Sequence, residues 1–362
     1  MNELMDKRHY FNVLKGFAIF LVVVGHATGG LVHEYAYSYH LALFFFISGF
    51  LYNENKYGNN PALNIGNKIK NNWSKFVIYT GLIGLLHFVG NINTSFPYIF
   101  GGVEAWDLSS YRNYFLNNMV MNNTEALCGA MWFVAPLIVV SGLMGLIIYL
   151  GNRMGEITGK SWAKHATIVF LTLICLYLGN ERMNMKFQLQ MRLDVALFVL
   201  PLLIIAYYIN TYIKNYLSYL RWYIAIPCFC LTVFMCSKQI QNVLAGQFVE
   251  LKTFYAFSLI GIYQSMCLAK ILCDEKKVGK NIITIFFDFI GKYTFEIMAF
   301  HFVVFKVIDA VWYKCKGEVD TSVLTVFPHS YNLWPIYILL GCLLPAVISV
   351  GIERIKRRVI HM

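Results

Sequence analysis

The sequence predicts an all-α integral membrane protein, a bundle of about ten transmembrane helices. Hydrophobic residues make up 58% of the 362-residue chain, and charged residues make up only 14%. Soluble domains carry roughly 25% charged residues, so this chain lacks the polar surface that water requires. Within lipid only helices and closed barrels satisfy every backbone hydrogen bond. The apolar runs are continuous, whereas barrel strands alternate, and we therefore predict helices.

Ten apolar stretches are suited to crossing a bilayer. The predicted spans are 11–31, 37–52, 76–91, 127–150, 165–179, 193–210, 222–237, 253–272, 284–312 and 334–352. The longest predicted outer loop is about 91–126, and a basic tail of about 353–362 follows the last span. No domain-sized insertion separates the spans, so we expect a single transmembrane domain over residues 1–362.

The distribution of Lys and Arg predicts the orientation. The predicted inner segments carry 19 of these residues and the predicted outer segments carry 8. The positive-inside rule then places both termini in the cytoplasm. The formal net charge of +11 follows from the same bias, because basic inner loops lie beside anionic lipid headgroups. The expected partner is thus the lipid bilayer and not a nucleic acid, and the oligomeric state stays open.

The first two spans carry ionisable side chains inside apolar runs. Lys15 and His26 are eleven residues apart, which puts them on one helix face with about 16 Å between them along the axis. His40 reaches a depth similar to that of His26 if the two spans pack as antiparallel neighbours. Ionisable groups are costly in lipid, so all three residues are functional candidates.

These residue types suit group transfer. Imidazole accepts a proton near neutral pH, and a lysine ammonium is a point charge suited to phosphate or to a thioester carbonyl. A cation in the inner half and a base in the outer half suit transfer from a cytoplasmic donor to an outer acceptor. A proton-coupled transporter or flippase for a glycan or small metabolite would use the same residue types, and this alternative stays open.

Several stretches resemble the acyltransferase-3 family of membrane acyltransferases. They are KGFAIFLVVVGH at 15–26, HLALFFFISGFL at 40–51, the basic run at 68–75, AMWFVAP at 130–136 and IGKYTFEIMAFH at 290–301. The resemblance covers essentially the whole chain, and the first two stretches are its most specific part.

The resemblance implies an O-acyltransferase. Its donor would be acetyl-CoA as co-substrate, and its acceptor a hydroxyl of an extracellular or lipid-linked glycan. Its location would be the bacterial cytoplasmic membrane. The sequence has no HExxH motif or other metal-ligand spacing, so we expect no metal cofactor.

By position, the resemblance makes His26 the essential histidine and Lys15 its paired basic residue. The supporting motif positions are His40, Ser48, Trp132 and His301. Lys15 stands where the family more often has arginine, which replaces a planar fork by a point charge. Ala42 stands where the family often has proline.

Three lysines after the second span, Lys68, Lys70 and Lys75, are weaker candidates for binding the donor's phosphates. Ordinary anchoring of an inner loop explains them about as well.

The remaining charged residues within or beside spans are expected to be structural. Arg192 and Asp194 would anchor the sixth span at the membrane surface. The ninth span carries Asp288, Lys292, Glu296 and Lys306. The first three are spaced i,i+4, so we expect ion pairs along one helix.

Overall fold

The computed structural model describes residues 7–92, 106–122, 125–185, 188–238, 250–274, 281–317 and 331–360. The described residues form fourteen α-helices and no strand. The helices are α1 Lys7–Ala27, α2 Gly30–Phe50, α3 Glu54–Tyr57, α4 Pro61–Lys68, α5 Ser74–Ile92, α6 Leu108–Met119, α7 Val134–Thr158, α8 Ser161–Asn184, α9 Leu193–Tyr212, α10 Trp222–Ser237, α11 Leu251–Cys273, α12 Ile282–Lys292, α13 Thr294–Lys316 and α14 Trp334–Ile360. A π-helical turn, Ile69–Trp73, joins α4 to α5.

Six helical stretches of the described chain are long and apolar enough to cross a membrane. They are Lys7–Ala27, Ala126–Thr158, Ser161–Asn184, Gln190–Tyr212, Leu251–Cys273 and Trp334–Arg358. The all-α class is confirmed, and each of the ten predicted spans overlaps a helix. The number of about ten crossings and the cytoplasmic termini stay predictions.

The second predicted span began too late. α2 starts at Gly30 and not at residue 37, because its first turns are helical but polar. These turns contain His33, whose Nδ1 lies 2.7 Å from the carbonyl oxygen of Gly25 in α1. A hydropathy window does not detect this segment, since its side chains bond to the end of the preceding helix.

The ninth predicted span is two helices and not one. α12 ends and α13 begins at Tyr293, whose φ of −114° and ψ of 29° interrupt the helical path. The Tyr293 N–H donates to Ile290 O, and its carbonyl accepts from the Ile297 N–H. Lys292 and Glu296 therefore lie on different helices, so the expectation that they pair within one helix is wrong.

The predicted basic tail of about 353–362 is helical in its described part, and its place on the cytoplasmic side stays a prediction. α14 continues as helix to Ile360, and its residues 353–358 are exposed. Arg357 and Arg358 stand in its last turn, where basic side chains interact favourably with the C-terminal end of the helix dipole.

The chain forms two compact units. The first contains Ser38–Phe76 and Trp132–Cys267, and the second contains the rest of the described residues. In the first unit α7, α8 and α9 pack against one another, and α4 packs against α7.

In the second unit α1 packs against α12, α13 and α14. Two glycines let the backbones of α1 and α12 touch. A Cβ on Gly16 would lie 2.0 Å from Phe287 O, and a Cβ on Gly291 would lie 1.8 Å from Asn12 O. Any larger residue at either position would push the two helices apart.

Candidate functional site

The predicted site residues are divided between the two units. Lys15, His26 and His301 belong to the second unit. The first unit contains His40, Ser48, Lys68, Lys70, Lys75 and Trp132. Each group is described within its own unit.

The centre of the second unit's group is His26, in the last turn of α1. Its ring is nearly parallel to that of His301, with 5.2 Å between the centroids and 15° between the planes. The Phe302 ring lies 4.7 Å from it. The hydroxyl of Tyr37, from α2, lies 2.7 Å from His26 Nδ1. The structure thus joins two predicted site residues that are far apart in the sequence, and it adds a tyrosine.

His301 is fully buried, with 0% of its surface exposed. Its Nδ1 lies 2.9 Å from Ile297 O, and since a carbonyl only accepts, Nδ1 carries the proton. Its Nε2 is therefore an acceptor, and it has no hydrogen-bond partner among the described residues. Glu296, on the same helix as His301, accepts a 2.9 Å hydrogen bond from the Tyr79 hydroxyl. A buried imidazole nitrogen left without a partner is costly, which distinguishes His301 from an ordinary packing residue.

Tyr37 is the functional candidate that the sequence did not single out. Its ring stacks on His33, with 4.2 Å between centroids. The ring also lies against Gly25, where a Cβ would come within 2.7 Å of it. The local signal was a glycine directly before His26, followed by His33 and Tyr37 at i,i+4 spacing.

Lys15 lies on α1 eleven residues before His26, half-buried and within the same uninterrupted helix. It interacts electrostatically with Arg8, Asp288 and Lys292. Asp288 pairs with Lys292, as expected from their i,i+4 spacing.

Asp288 has further partners on α1. It lies 3.0 Å from His9 Nδ1 and accepts a 3.2 Å hydrogen bond from the Asn12 amide. Among the described residues, Lys15 thus has two cations, Arg8 and Lys292, and one carboxylate, Asp288, as electrostatic partners. This local excess of positive charge suits an anionic ligand.

In the first unit, Lys68 and Ser48 are hydrogen-bonded. Lys68 Nζ donates to Ser48 Oγ at 3.1 Å, and Ser48 Oγ lies 3.3 Å from Ser141 Oγ. Ser141 Oγ in turn donates to Leu137 O at 2.7 Å. Because the Ser141 proton goes to this carbonyl, Ser48 must donate to Ser141. The result is a directed chain from Lys68 to the backbone of α7.

The three lysines after α2 have different surroundings. Burial lowers the pKa of Lys68 below its ordinary value of 10.5. Lys70 and Lys75 are exposed. Lys68 is the last residue of α4, directly before the π-helical turn, a feature frequent at functional sites.

Trp132 lies beneath a cation. The Arg192 guanidinium is 5.1 Å from the centre of the Trp132 ring. Arg192 also bonds the Asp194 carboxylate at 3.2–3.4 Å. The side chains of Arg192 and Asp194 are only 13% and 3% exposed. They form a largely buried ion pair, and their role as membrane-surface anchors stays a prediction.

Met191 and Arg192 both have a left-handed backbone, with φ of 53° and 50°. This conformation is strained for residues other than glycine. The Arg192 contacts with Asp194 and Trp132 hold the strained turn in place.

His40 lies in the middle of α2 and is 3% exposed. That it shares a depth with His26 stays a prediction. Lys306 is 1% exposed on α13, and its Nζ has no hydrogen-bond partner among the described residues. Asp309, one turn further, accepts a hydrogen bond from the Tyr337 hydroxyl. No three His, Cys, Asp or Glu side chains come together as a metal site in the described part of the chain.

A comparison with protein families gives one finding. The family model Acyl_transf_3, described as an acyltransferase domain, matches residues 8–354, which is essentially the whole chain. No curated protein and no solved structure matches the sequence.

Proposed function

The chain belongs to the acyltransferase 3 family, and on this premise we propose that it moves an acetyl group from acetyl-CoA to a glycan hydroxyl. The acceptor would be a cell-surface or lipid-linked saccharide, and the enzyme an O-acyltransferase of the bacterial cytoplasmic membrane. The apolar helices and the family together make the chain a multi-pass membrane protein. The family makes it an acyltransferase, whereas the donor, the acceptor and the residue roles belong to this proposal.

The observation that carries the proposal is the environment of His26. Its ring is bonded through Nδ1 to Tyr37 and stacked on His301. A general base must be held in one orientation, with one nitrogen turned to the reacting hydroxyl. Contacts to the face and to one nitrogen of the imidazole support this role for His26.

The charges around Lys15 support a role in binding the donor. Coenzyme A carries phosphate groups, which lysine and arginine side chains attract. Among the described residues, Lys15 interacts electrostatically with Arg8 and Lys292 as well as with Asp288, with which Lys292 pairs. We assign the donor's phosphate end to this cluster, with Lys15 contributing an ammonium charge from within α1.

Direct attack in a ternary complex and a transient acyl-enzyme both fit these residues, and we propose the direct attack. The acceptor hydroxyl oxygen attacks the thioester carbonyl carbon while its proton passes to His26 Nε2. The new C–O bond forms, the C–S bond breaks, and coenzyme A leaves as a thiolate that takes a proton from the histidine. The histidine ends neutral, so the step balances without a metal or a redox partner.

The test is coenzyme A release from acetyl-CoA by the purified protein in detergent, with a mixed glycan extract as acceptor. Wild type is expected to release coenzyme A only with the extract, and His26→Ala is expected to lose at least 100-fold of that rate, the lower end of about 10²–10⁴ for a general base. The matched control is His165→Ala, because His165 also lies 3.0 Å from a tyrosine hydroxyl, that of Tyr208. A His26→Ala variant as active as the control would remove His26 from the mechanism.

The donor assignment has its own measurement. Lys15→Met is expected to raise the KM for acetyl-CoA, whereas Lys15→Arg, which keeps the charge, is expected to retain most of the affinity. Equal KM values for the two variants would place the donor elsewhere. Binding of the glycan by wild type without any release would favour a transporter instead.

A further inference from the structure

We propose that Tyr37 is the positioning residue of His26, and that it holds the imidazole with its proton on Nδ1. This inference rests on the proposed role of His26 as the base. Neither the family match nor the sequence motifs point to this tyrosine.

Tyr37 and His26 are joined by a short hydrogen bond. The 2.7 Å between the hydroxyl oxygen and Nδ1 is a full hydrogen bond. A tyrosine hydroxyl can donate or accept. Once His26 has taken a proton, both of its nitrogens carry hydrogen, and the hydroxyl can then only accept from Nδ1. Tyr37 therefore stabilises the protonated ring that the reaction forms.

The ring of Tyr37 is held in place by its neighbours. His33 covers one face of its ring at 4.2 Å. Gly25 leaves room for the ring, since a Cβ there would lie 2.7 Å from it. The His33 imidazole in turn donates from Nδ1 to the Gly25 carbonyl at 2.7 Å, which ties the start of α2 to the end of α1.

Titratable groups approach the region of His26 from two other helices. His33 and Tyr37 approach from α2, and His301 approaches from α13. From α14, Gly341 reaches the same region and brings no charge. His301 covers a face of His26 with a ring 15° from parallel, whereas Tyr37 bonds an edge nitrogen. Of these described groups, Tyr37 is therefore the one whose contact with a ring nitrogen can favour a proton on Nδ1 of His26.

The kinetic test is Tyr37→Phe, which removes the hydroxyl and keeps the ring. We expect kcat to fall about tenfold, as for loss of a hydrogen bond to a charged group. We expect the KM for acetyl-CoA to change less than about twofold, because the donor's binding site is unchanged. The acidic limb of kcat/KM against pH should move to lower pH, because the protonated imidazole loses its acceptor.

The matched control is Tyr255→Phe. Tyr255 donates a 2.6 Å hydrogen bond to Phe198 O in the other unit, so this variant loses a comparable bond away from His26. It should keep the wild-type kcat and pH profile. A Tyr37→Phe variant with the same kcat and the same profile as Tyr255→Phe would overturn the inference.

A second measurement needs no activity. In ¹⁵N-histidine NMR of the protein in micelles, with the His26 signals assigned from their loss in His26→Ala, wild type should show a protonated Nδ1 and an unprotonated Nε2. Tyr37→Phe and Gly25→Ala, which displaces the ring, should both mix the tautomers. An unchanged tautomer in Tyr37→Phe would contradict the inference. An active His26→Ala variant would contradict the proposed function instead, while the NMR result still decides the role of Tyr37.

Discussion

Lys68 donates a 3.1 Å hydrogen bond to Ser48, so a lysine at the end of a short polar helix reaches a serine near the end of an apolar one. The two residues were singled out for unrelated reasons, one as a phosphate ligand and one as a motif position. The structure makes them neighbours in one hydrogen-bonded chain that continues to Ser141 and α7.

Ser48→Ala should destabilise the protein. Without the hydroxyl, the Lys68 amine and the Ser141 oxygen lose their shared partner, and an unsatisfied buried group costs about 1–3 kcal/mol. The free energy of unfolding in detergent should fall by that amount. Lys70→Met, at an exposed position, is the control and should change little. Equal stabilities for the two variants would show that the chain contributes nothing.

Lowering the pH should weaken the hydrogen bonds that join α3 to α8 and α9. Glu54 accepts hydrogen bonds from Lys164 at 2.5 Å and from Tyr207 at 2.7 Å. Burial alone would raise the pKa of Glu54, but these hydrogen bonds outweigh it and hold that pKa below 4.5. The ionised carboxylate thus stabilises the fold above its unfolded pKa, and this contribution is lost as pH falls through the lower folded value.

The corresponding measurement is Tm against pH. Between about pH 5 and pH 3, the Tm of wild type should fall more steeply than that of Glu54→Gln, which has no charge to lose. Glu156→Gln removes an exposed partner of Arg153 and should follow wild type, because exposed pairs contribute little. A Glu54→Gln curve parallel to that of wild type would refute the prediction.

The crossing of α1 and α12 should tolerate no side chain. Gly16→Ala or Gly291→Ala places a Cβ at 2.0 Å or 1.8 Å from a backbone oxygen, so the helices must separate. We expect a loss of more than about 3 kcal/mol in unfolding free energy, or no folded protein.

Gly66→Ala is the matched control for this crossing. A Cβ on Gly66 would meet nothing within 4 Å, and alanine favours a helix by about 1 kcal/mol over glycine. Gly66→Ala should therefore stabilise α4 slightly, as measured by thermal unfolding. If Gly16→Ala were equally harmless, the close approach of the two backbones would be disproved.

Lys306→Met should stabilise the protein. The Lys306 amine is buried without a hydrogen-bond partner among the described residues, and methionine fills a similar volume without a polar group. Removing a buried polar group that lacks a hydrogen-bond partner is expected to recover about 1–3 kcal/mol, less the electrostatic attraction between Lys306 and Asp309. Lys314→Met, exposed on the same helix, should leave Tm unchanged. A destabilised Lys306→Met variant would show that the amine has a stabilising partner.

The helices were predictable because apolar runs in lipid must be helical, whatever their packing. The break at Tyr293 was not, because apolar runs lie on both sides of it and the short polar segment between them gives only a weak signal. The second span was predicted to start too late for the opposite reason. Its polar first turns are explained by a contact with Gly25, which no local pattern contains.

For the candidate site, the sequence identified residue types and not their neighbours. His26 and His301 were each predicted, but their stacking depends on how α1 packs against α13. Tyr37 was missed because a tyrosine in an apolar helix ordinarily indicates packing or the membrane interface. Its role follows only from the 2.7 Å contact with His26.

The π-helical turn at Ile69–Trp73 changes the directions in which the side chains before and after it point. Such a turn bonds each residue to the fifth one along and not the fourth, so it holds about one residue more than an α-turn. That extra residue turns Lys68 by about 100° relative to Phe76 around the helix axis. In a uniform α-helix, Lys68 and Phe76 would point about 80° apart around the axis. The π-helical turn brings both side chains toward the same, inward-facing side.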